Sequence, residues 1–256
     1  MANWQRHKRI AAVAPLRAGD SRSQPRDARG GSFPAVFIVF KRDRRSRMKL
    51  VVDNLSCARG RRVVLERVGF AAAAGESVLL SGANGSGKTT LLRTLAGFMT
   101  PQSGAAWLEG GPEGFGLDEC CHYVGHLNGI KAGFSVDENL AFLAAYLGGD
   151  GLAAIDEAAY AFDLEPLRHV PAGFLSAGQK RRLGLARLVL AWRPVWLLDE
   201  PTVSLDVASQ GLLADAVRAH AASGGIIVAA SHVPLGVAFS RTLRLAGGHA
   251  EVEESA

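Results

Sequence analysis

The run Gly82-Ala83-Asn84-Gly85-Ser86-Gly87-Lys88-Thr89 restricts this chain more than any other stretch of it. It satisfies G-x-x-x-x-G-K-[ST] at every fixed position, and its flanks are the ones that pattern needs. Ser77-Val78-Leu79-Leu80 leads in as a short buried strand, and Thr90-Leu91-Leu92-Arg93-Thr94-Leu95 leads out as a helix. A strand–loop–helix turn aims several backbone N–H groups at one point, where the helix dipole adds partial positive charge. Its glycines let the loop curl around an anion without Cβ clashes. Gly82 to Thr89, with Thr90 opening the helix, are therefore the expected phosphate cradle. Lys88 is placed to reach the β- and γ-phosphates of a nucleotide, and the Thr89 hydroxyl is placed for Mg²⁺.

Hydrophobic residues make up 48% of the 256, enough for one large domain or one with a subdomain. No apolar run approaches the ~18 residues of a membrane span. Pro34 to Phe40 falls far short. The chain is therefore not itself a channel, and any action at a membrane needs a separate spanning protein. The net charge of +5 is unevenly spread: 12 of 29 Lys+Arg but 3 of 24 Asp+Glu lie in residues 1–47, which leaves 17 against 21 for the remainder. The mildly acidic body gives no reason to expect nucleic acid. Residues 1–47 are rich in Arg, Ser, Pro and Gly without periodicity, and read as disordered. Met48, ahead of Lys49-Leu50-Val51-Val52, reads as the natural start, and the preceding residues as a mis-annotated extension; a targeting peptide is the alternative. The three cysteines, Cys57, Cys120 and Cys121, form no disulfide framework and suit a reducing compartment. Cys120-Cys121-His122 lacks both the haem-attachment and zinc spacings, so these read as core residues beside an apolar strand.

From Met48 onward, Leu50 to Val52, Val63 to Leu65 and the strand into the phosphate loop are closely spaced, which suggests an antiparallel sheet first. Trp107-Leu108 and Tyr123-Val124 are further strand candidates. A helical stretch then runs from about Ser135 to Trp192. Ser135-Val136-Asp137-Glu138 is a capping box, Ala153 to Phe162 reads as a second helix, and Ala177 to Trp192 as a third. Val195 to Leu198 and Ile226 to Ala230 read as buried parallel strands, with a helix over Gly211 to Ala221 between them. The plan is an α/β parallel-sheet nucleotide core interrupted by a helical insertion.

Two further segments bear chemistry. The apolar strand from Val195 ends in Asp199-Glu200, and a carboxylate at the C-terminal end of such a strand faces the ligand crevice. Asp199 is placed to hold Mg²⁺ through water, and Glu200 to act as general base on an attacking water. Leu175-Ser176-Ala177-Gly178-Gln179 opens the third helix. A Ser hydroxyl, a free helix start and a glycine make a second anion site. Two such sites for one nucleotide resolve as a dimer, in which this turn caps the nucleotide held by its partner's phosphate loop.

In this order the motifs resemble the ATP-binding cassette (ABC) family across nearly all of residues 48–256. Gly82 to Thr89 matches the phosphate loop, and Leu175 to Gln179 the signature, with Ala177 where Gly is usual. Leu197 to Glu200 matches the Walker B strand, Ser204-Leu205-Asp206 the D-loop, and Ser231-His232 the switch histidine. The resemblance implies a P-loop NTPase with a RecA-like parallel-sheet core, an N-terminal antiparallel β subdomain and an inserted helical subdomain at about 135–192. It implies ATP and Mg²⁺ as cofactors and a head-to-tail homodimer. Ser176 and Gly178, with Ala177 and Gln179, would meet the γ-phosphate in trans, His232 would contact it, and Asp206 would link the two sites. His126 stands where most cassettes have Gln, as a Mg²⁺ or water contact. Arg59 stands where an aromatic residue usually stacks on adenine.

Tyr123 to Lys131, Arg59 and Leu-Ser-Ala-Gly-Gln-Lys-Arg-Arg look most like the ATP-binding subunits of the haem exporters of cytochrome c maturation, although Leu127 and Asn128 depart from that subfamily's Gln and Pro. That resemblance implies integral membrane partners of the CcmB/CcmC type, a peripheral position on the cytoplasmic face of the cell inner membrane, and haem handled by the complex rather than by this chain. The helical insertion, Ser135 to about Phe174, with the His126 loop would dock the partner. Three alternatives stay open: an importer or drug-exporter ATPase, a soluble cassette protein of repair or translation, and a kinase or switch GTPase. The last leaves Leu175 to Gln179 without a purpose.

Overall fold

Burial that alternates along the chain builds the first layer. β1 (Lys49–Arg59) and β2 (Arg62–Ala73) form an antiparallel hairpin with Lys49 opposite Ala73 and Arg59 opposite Arg62. The computed structural model describes residues 47–60, 62–149 and 151–254. The expectation of disorder for residues 1–47 therefore lies, Arg47 apart, outside the described residues. The chain next enters a different sheet through β3 (Ser77–Ser81), and returns to the first one with β4 (Ser103–Glu109) on the other side of β1. Both hairpin strands run well past the short apolar stretches that signal them.

The second sheet has six strands. β5 (Cys121–Val124), β6 (Val195–Asp199), β7 (Ile226–Ala230), β3 and β8 (Arg241–Ala246) are parallel in that spatial order, and β9 (His249–Glu254) closes the edge antiparallel. Every residue of β6 and β7 is buried, because both faces are covered. The two-residue period sorts them cleanly. Val195, Leu197, Ile226 and Val228 face a core shared with β1, β2 and the helix after the phosphate loop. Trp196, Leu198, Ile227 and Ala229 face the other core, shared with the remaining helices.

Six helices complete the described residues: α1 (Lys88–Leu95), α2 (Val136–Leu147), α3 (Leu152–Ala161), α4 (Ala177–Leu185), α5 (Arg187–Leu190) and α6 (Val207–Ala222). Ser135 caps α2 in a reciprocal capping box with Glu138, as its sequence predicts. Between α2 and α4 the insertion is not continuous helix: after α3 the chain passes through short turns to Leu175. The helix expected over Ala177 to Trp192 is also two helices, and it ends at Leu190. Arg187 Nε folds back onto the Gly184 carbonyl at 2.7 Å, and Ala191 is already extended. Arg193 precedes Pro194, a position that disfavours the helical region and favours entry into β6. α6 conversely starts four residues before the expected Gly211, because the Asp206 carboxylate accepts from Ser209 N at 2.8 Å and caps it there. None of the described helices is long and apolar enough to cross a membrane.

Candidate functional site

The carboxyl ends of β3 and β6, one strand apart, open onto a cavity of about 1070 Å³. Asn84 to Thr90 line it from one side, Asp199 and Glu200 from another, and Arg59, Arg62, Arg93 and His126 from its rim and walls. Gly82 and Gly87 sit at φ +132 and +108. A Cβ at Gly82 would lie 2.4 Å from the Leu245 carbonyl oxygen, and one at Gly87 2.6 Å from Leu65 Cδ2. The loop therefore hugs the sheet and leaves its inner side to a ligand. Ser86 Oγ is buried with no hydrogen-bond partner among the described residues. Lys88 Nζ donates to the carbonyls of Gly82 at 2.6 Å and Ala83 at 3.1 Å, folding the ammonium over the loop. An orphaned hydroxyl, a curled N–H-rich loop and a poised ammonium fit a bound phosphate chain.

Asp199 is 2% exposed and doubly held. Its Oδ1 accepts from Thr89 Oγ1 at 3.1 Å and its Oδ2 from the Tyr123 hydroxyl at 3.3 Å. Burial and then the Asp199 charge push the Tyr123 phenol up to about 12, so it stays a donor. Among the described residues no group of three or more His, Cys, Asp or Glu side chains could hold a metal. The Thr89 hydroxyl and Asp199 carboxylate are nonetheless hard oxygen donors. They suit a small cation whose other ligands come from phosphate and water.

Glu200 sits at φ +47, a left-handed conformation that costs roughly 1 kcal/mol or more in a non-glycine residue. Its N–H donates to the Ala230 carbonyl at 2.8 Å, and its own carbonyl accepts from Arg181 Nη2 at 3.0 Å. The kink brings its carboxylate Oε1 to 3.4 Å from His232 Nε2. Thus Lys88, Thr89, Asp199 and Glu200 converge, with His232 touching the last.

The signature turn is elsewhere. Ser176 Oγ accepts from Gln179 N at 3.2 Å while Gln179 Oε1 accepts from Ser176 N at 2.8 Å, a capping box that opens α4. Ser176, Ala177, Gly178 and Gln179 do not line the phosphate-loop cavity, and nor does Asp206. A Cβ on Gly178 would stand 3.2 Å from the Ser204 carbonyl, so the turn at Ser204 and the signature lie side by side. The Asp206 carboxyl is held below its usual range, first by its bond to Ser209. Around Cys120-Cys121-His122 the chemistry is inert. Burial pushes the Cys120 thiol up to about 11, the Cys121 thiol up to about 12, and the His122 imidazole down to about 3. His122 Nε2 donates to the Ala191 carbonyl at 2.7 Å.

Arg62, Arg93 and Met99 in the lining, and Tyr123 and Arg181 behind it, are among the residues to which the sequence alone assigns no role at this site. Arg62 could have been found as the cross-strand partner of Arg59. Tyr123 is the penultimate residue of a strand that lies beside the Asp199 strand. Lys180-Arg181-Arg182 figures in the family resemblance but gives no sign of this contact, because a charge run on a helix normally reads as a solvated face.

Comparison with known proteins gives the family and the fold. The ABC transporter family matches residues 65–203. The cytochrome c biogenesis ATP-binding export protein CcmA of Rhizobium meliloti is 46% identical over 205 residues, covering 78% of this chain and 99% of that protein. The protein of the same name from Rhodobacter capsulatus is 51% identical over 197 residues, covering 77% and 87%. Among solved structures, the ATP-binding subunit of an ABC transporter superposes with a TM-score of 0.70 at 24% identity, over 80% of this chain and 89% of that one. A bacterial Atm1-family ABC exporter with ATP bound gives 0.68 at 24% identity, over 80% and 38%.

Proposed function

Because the chain belongs to the ABC transporter family as an ATP-binding, ATP-hydrolysing subunit, we propose that it powers haem export, or release of a haem-loaded chaperone, in c-type cytochrome biogenesis. What carries the ATPase half of this reading is the convergence of Lys88, Thr89, Asp199 and Glu200 on one cavity. The cargo half is supported by relatives named for cytochrome c biogenesis export, which match over nearly their whole length.

Residues 48–256 act as one ATPase unit in this reading, with the helical subdomain at about 135–192. The loop N–H groups, Lys88 and the Ser86 hydroxyl hold the phosphates of ATP, with Thr90 behind them and Arg59 lying on the adenine ring. Thr89, and Asp199 through water, with His126 near by, would hold a Mg²⁺ ion, which would supply charge neutralisation at the phosphate oxygens. Glu200 orients the attacking water and takes its proton, and His232 steadies the Glu200 carboxylate beside the terminal phosphate. Ser176 to Gln179 of one subunit close over the nucleotide of its twin, which is why that turn stands free of its own cavity. Asp206, as helix cap, keeps the neighbouring turn rigid enough to meet the partner.

ATP closes the homodimer and hydrolysis reopens it, and rigid-body motion passes to integral membrane subunits of the CcmB/CcmC type. The subunit sits peripherally on the cytoplasmic face of the inner membrane, and the haem is handled by the complex. Glu200→Gln tests the chemistry: ATP binding persists and turnover falls by about 100-fold or more. Hydrolysis at the parent rate refutes the base assignment. Lys88→Ala in the producing cell tests the cargo: c-type cytochromes fail to mature, and normal maturation refutes it.

A further inference from the structure

One guanidinium behind the site binds two separate segments to the helix that carries it. Arg181, on α4 and five residues beyond Ser176, is 4% exposed. Its Nε donates to the Pro201 carbonyl at 3.0 Å and its Nη2 to the Glu200 carbonyl at 3.0 Å. Its Nη1 donates to the Gly125 carbonyl at 2.6 Å and to Asn128 Oδ1 at 3.2 Å. The signature helix, the turn that carries Glu200 and the loop that carries His126 are thereby joined by one side chain. A planar fork of five donors serves acceptors in several directions at once, whereas a lysine ammonium at this position can serve only one of them.

Glu200 is the residue that needs the grip. At φ +47 its backbone is unfavourable, and it persists only because both of its peptide groups are tied. The N–H is tied to the end of β7, and the carbonyl to Arg181 at 3.0 Å and to the Val203 N–H at 3.3 Å. Without Arg181 the carbonyl keeps only the longer, local bond from Val203, and the turn loses its anchor to α4. The carboxylate then leaves its place 3.4 Å from His232 Nε2. The other hand of the fork grips equally firm ground. Arg187 also donates to the Asn128 carbonyl, and Gly184 packs so tightly on Asn128 that a Cβ there would lie 2.8 Å from the Asn128 Cβ.

We propose that Arg181 is a positioning residue, which sets the Glu200 carboxylate for its work and locks that setting to the Gly125–Asn128 loop. The inference rests on Glu200 being the general base. A movement of α4, when its signature turn meets the partner's nucleotide, reaches Glu200 through this guanidinium. A movement of the loop facing the membrane subunits arrives by the same route.

The test uses the full chain in its membrane complex. Arg181→Met keeps the side-chain length and removes every donor. It lowers kcat by about 100-fold, as expected when a catalytic group shifts by about an ångström, and leaves KM for ATP and nucleotide affinity within about threefold of the parent. Arg181→Lys restores part of kcat by reaching one of the carbonyls. Added to Glu200→Gln, Arg181→Met costs nothing further, because both act through one group. A kcat within twofold of the parent overturns the proposal, and so does a fully multiplicative loss in the double variant. Should Arg181→Met fail to fold, Arg181→Lys decides alone: parent kcat overturns the proposal, and lowered kcat with parent KM upholds it. If Glu200→Gln itself hydrolyses ATP at the parent rate, the general-base reading falls first. If Glu200→Gln is inactive and Arg181→Met is not, only the Arg181 inference falls.

Discussion

Acid should weaken this fold through one identifiable imidazole. His122 lies on β5 with 2% exposure, and its Nε2–H donates to the Ala191 carbonyl at 2.7 Å. Burial lowers its pKa from 6.5 to about 3. The unfolded chain takes up a proton at this residue near pH 6.5, whereas the folded chain refuses it until near pH 3. The unfolded state therefore binds the extra proton throughout that interval. The contribution of a neutral His122 is complete above pH 6.5 and drains away as pH falls, at about 1.4 kcal/mol per pH unit. At pH 5 the loss is about 2 kcal/mol, a large share of the stability of an ordinary domain. His122→Gln retains a donor for the Ala191 carbonyl and removes the titration. Urea unfolding of both proteins at pH 7 and pH 5 measures the difference. The parent should lose about 2 kcal/mol more than the variant, a midpoint shift of roughly 1 M. Equal losses in the two proteins would refute the argument, as would an NMR titration of the His122 ring between pH 5 and 7.

Three other outcomes are expected. Asn139, 1% exposed, accepts from Lys131 N at 2.7 Å and donates to the carbonyls of Lys131, Phe134 and Ser135; Asn139→Ala strands buried backbone groups and should cost about 3 kcal/mol in urea unfolding, so a loss under about 1 kcal/mol would contradict the knot described here. Gly87→Ala forces a Cβ onto Leu65 at a φ of +108, and calorimetry should register a roughly 10- to 100-fold weaker ATP affinity, with parent affinity as the contrary result. Ser176→Ala, placed in a Glu200→Gln background, should leave ATP binding to each subunit intact yet abolish the ATP-dependent dimer on a sizing column; a dimer of undiminished yield would remove the trans role of the signature turn.

Much of the site was legible because its chemistry lies in contiguous runs with characteristic flanks. Gly82 to Thr89 announces its own strand and helix, and the apolar run before Asp199-Glu200 fixes where those carboxylates emerge. The capping residues Ser135 and Ser176 were equally plain, since each has its Glu or Gln partner three residues on. What stayed hidden depends on tertiary contact. The break of the third helix at Ala186 follows from the reach of Arg187 to Gly184 and Asn128, and a windowed helical pattern over Ala177 to Trp192 carries no trace of it. Tyr123 and Arg181 act on residues 76 and 19 to 56 positions away, through atoms that no local motif connects. The early start of α6 was a lesser miss, because Asp206 could have been weighed as a cap as well as a D-loop residue.

The middle strand of the large sheet has a consequence for birth on the ribosome. β3 is made early, yet its neighbours are β7 and β8, which emerge some 150 residues later. At ordinary synthesis rates that leaves the segment waiting on the order of ten seconds. The hairpin of β1 and β2 can pair during that interval and offer Leu65 to Gly87, but the Leu245 carbonyl that backs Gly82 is missing until β8 has left the exit tunnel. Nucleotide capture is thus postponed until β7 and β8 have emerged, and a nascent chain stalled before β7 carries Lys88 and Thr89 without being able to use them.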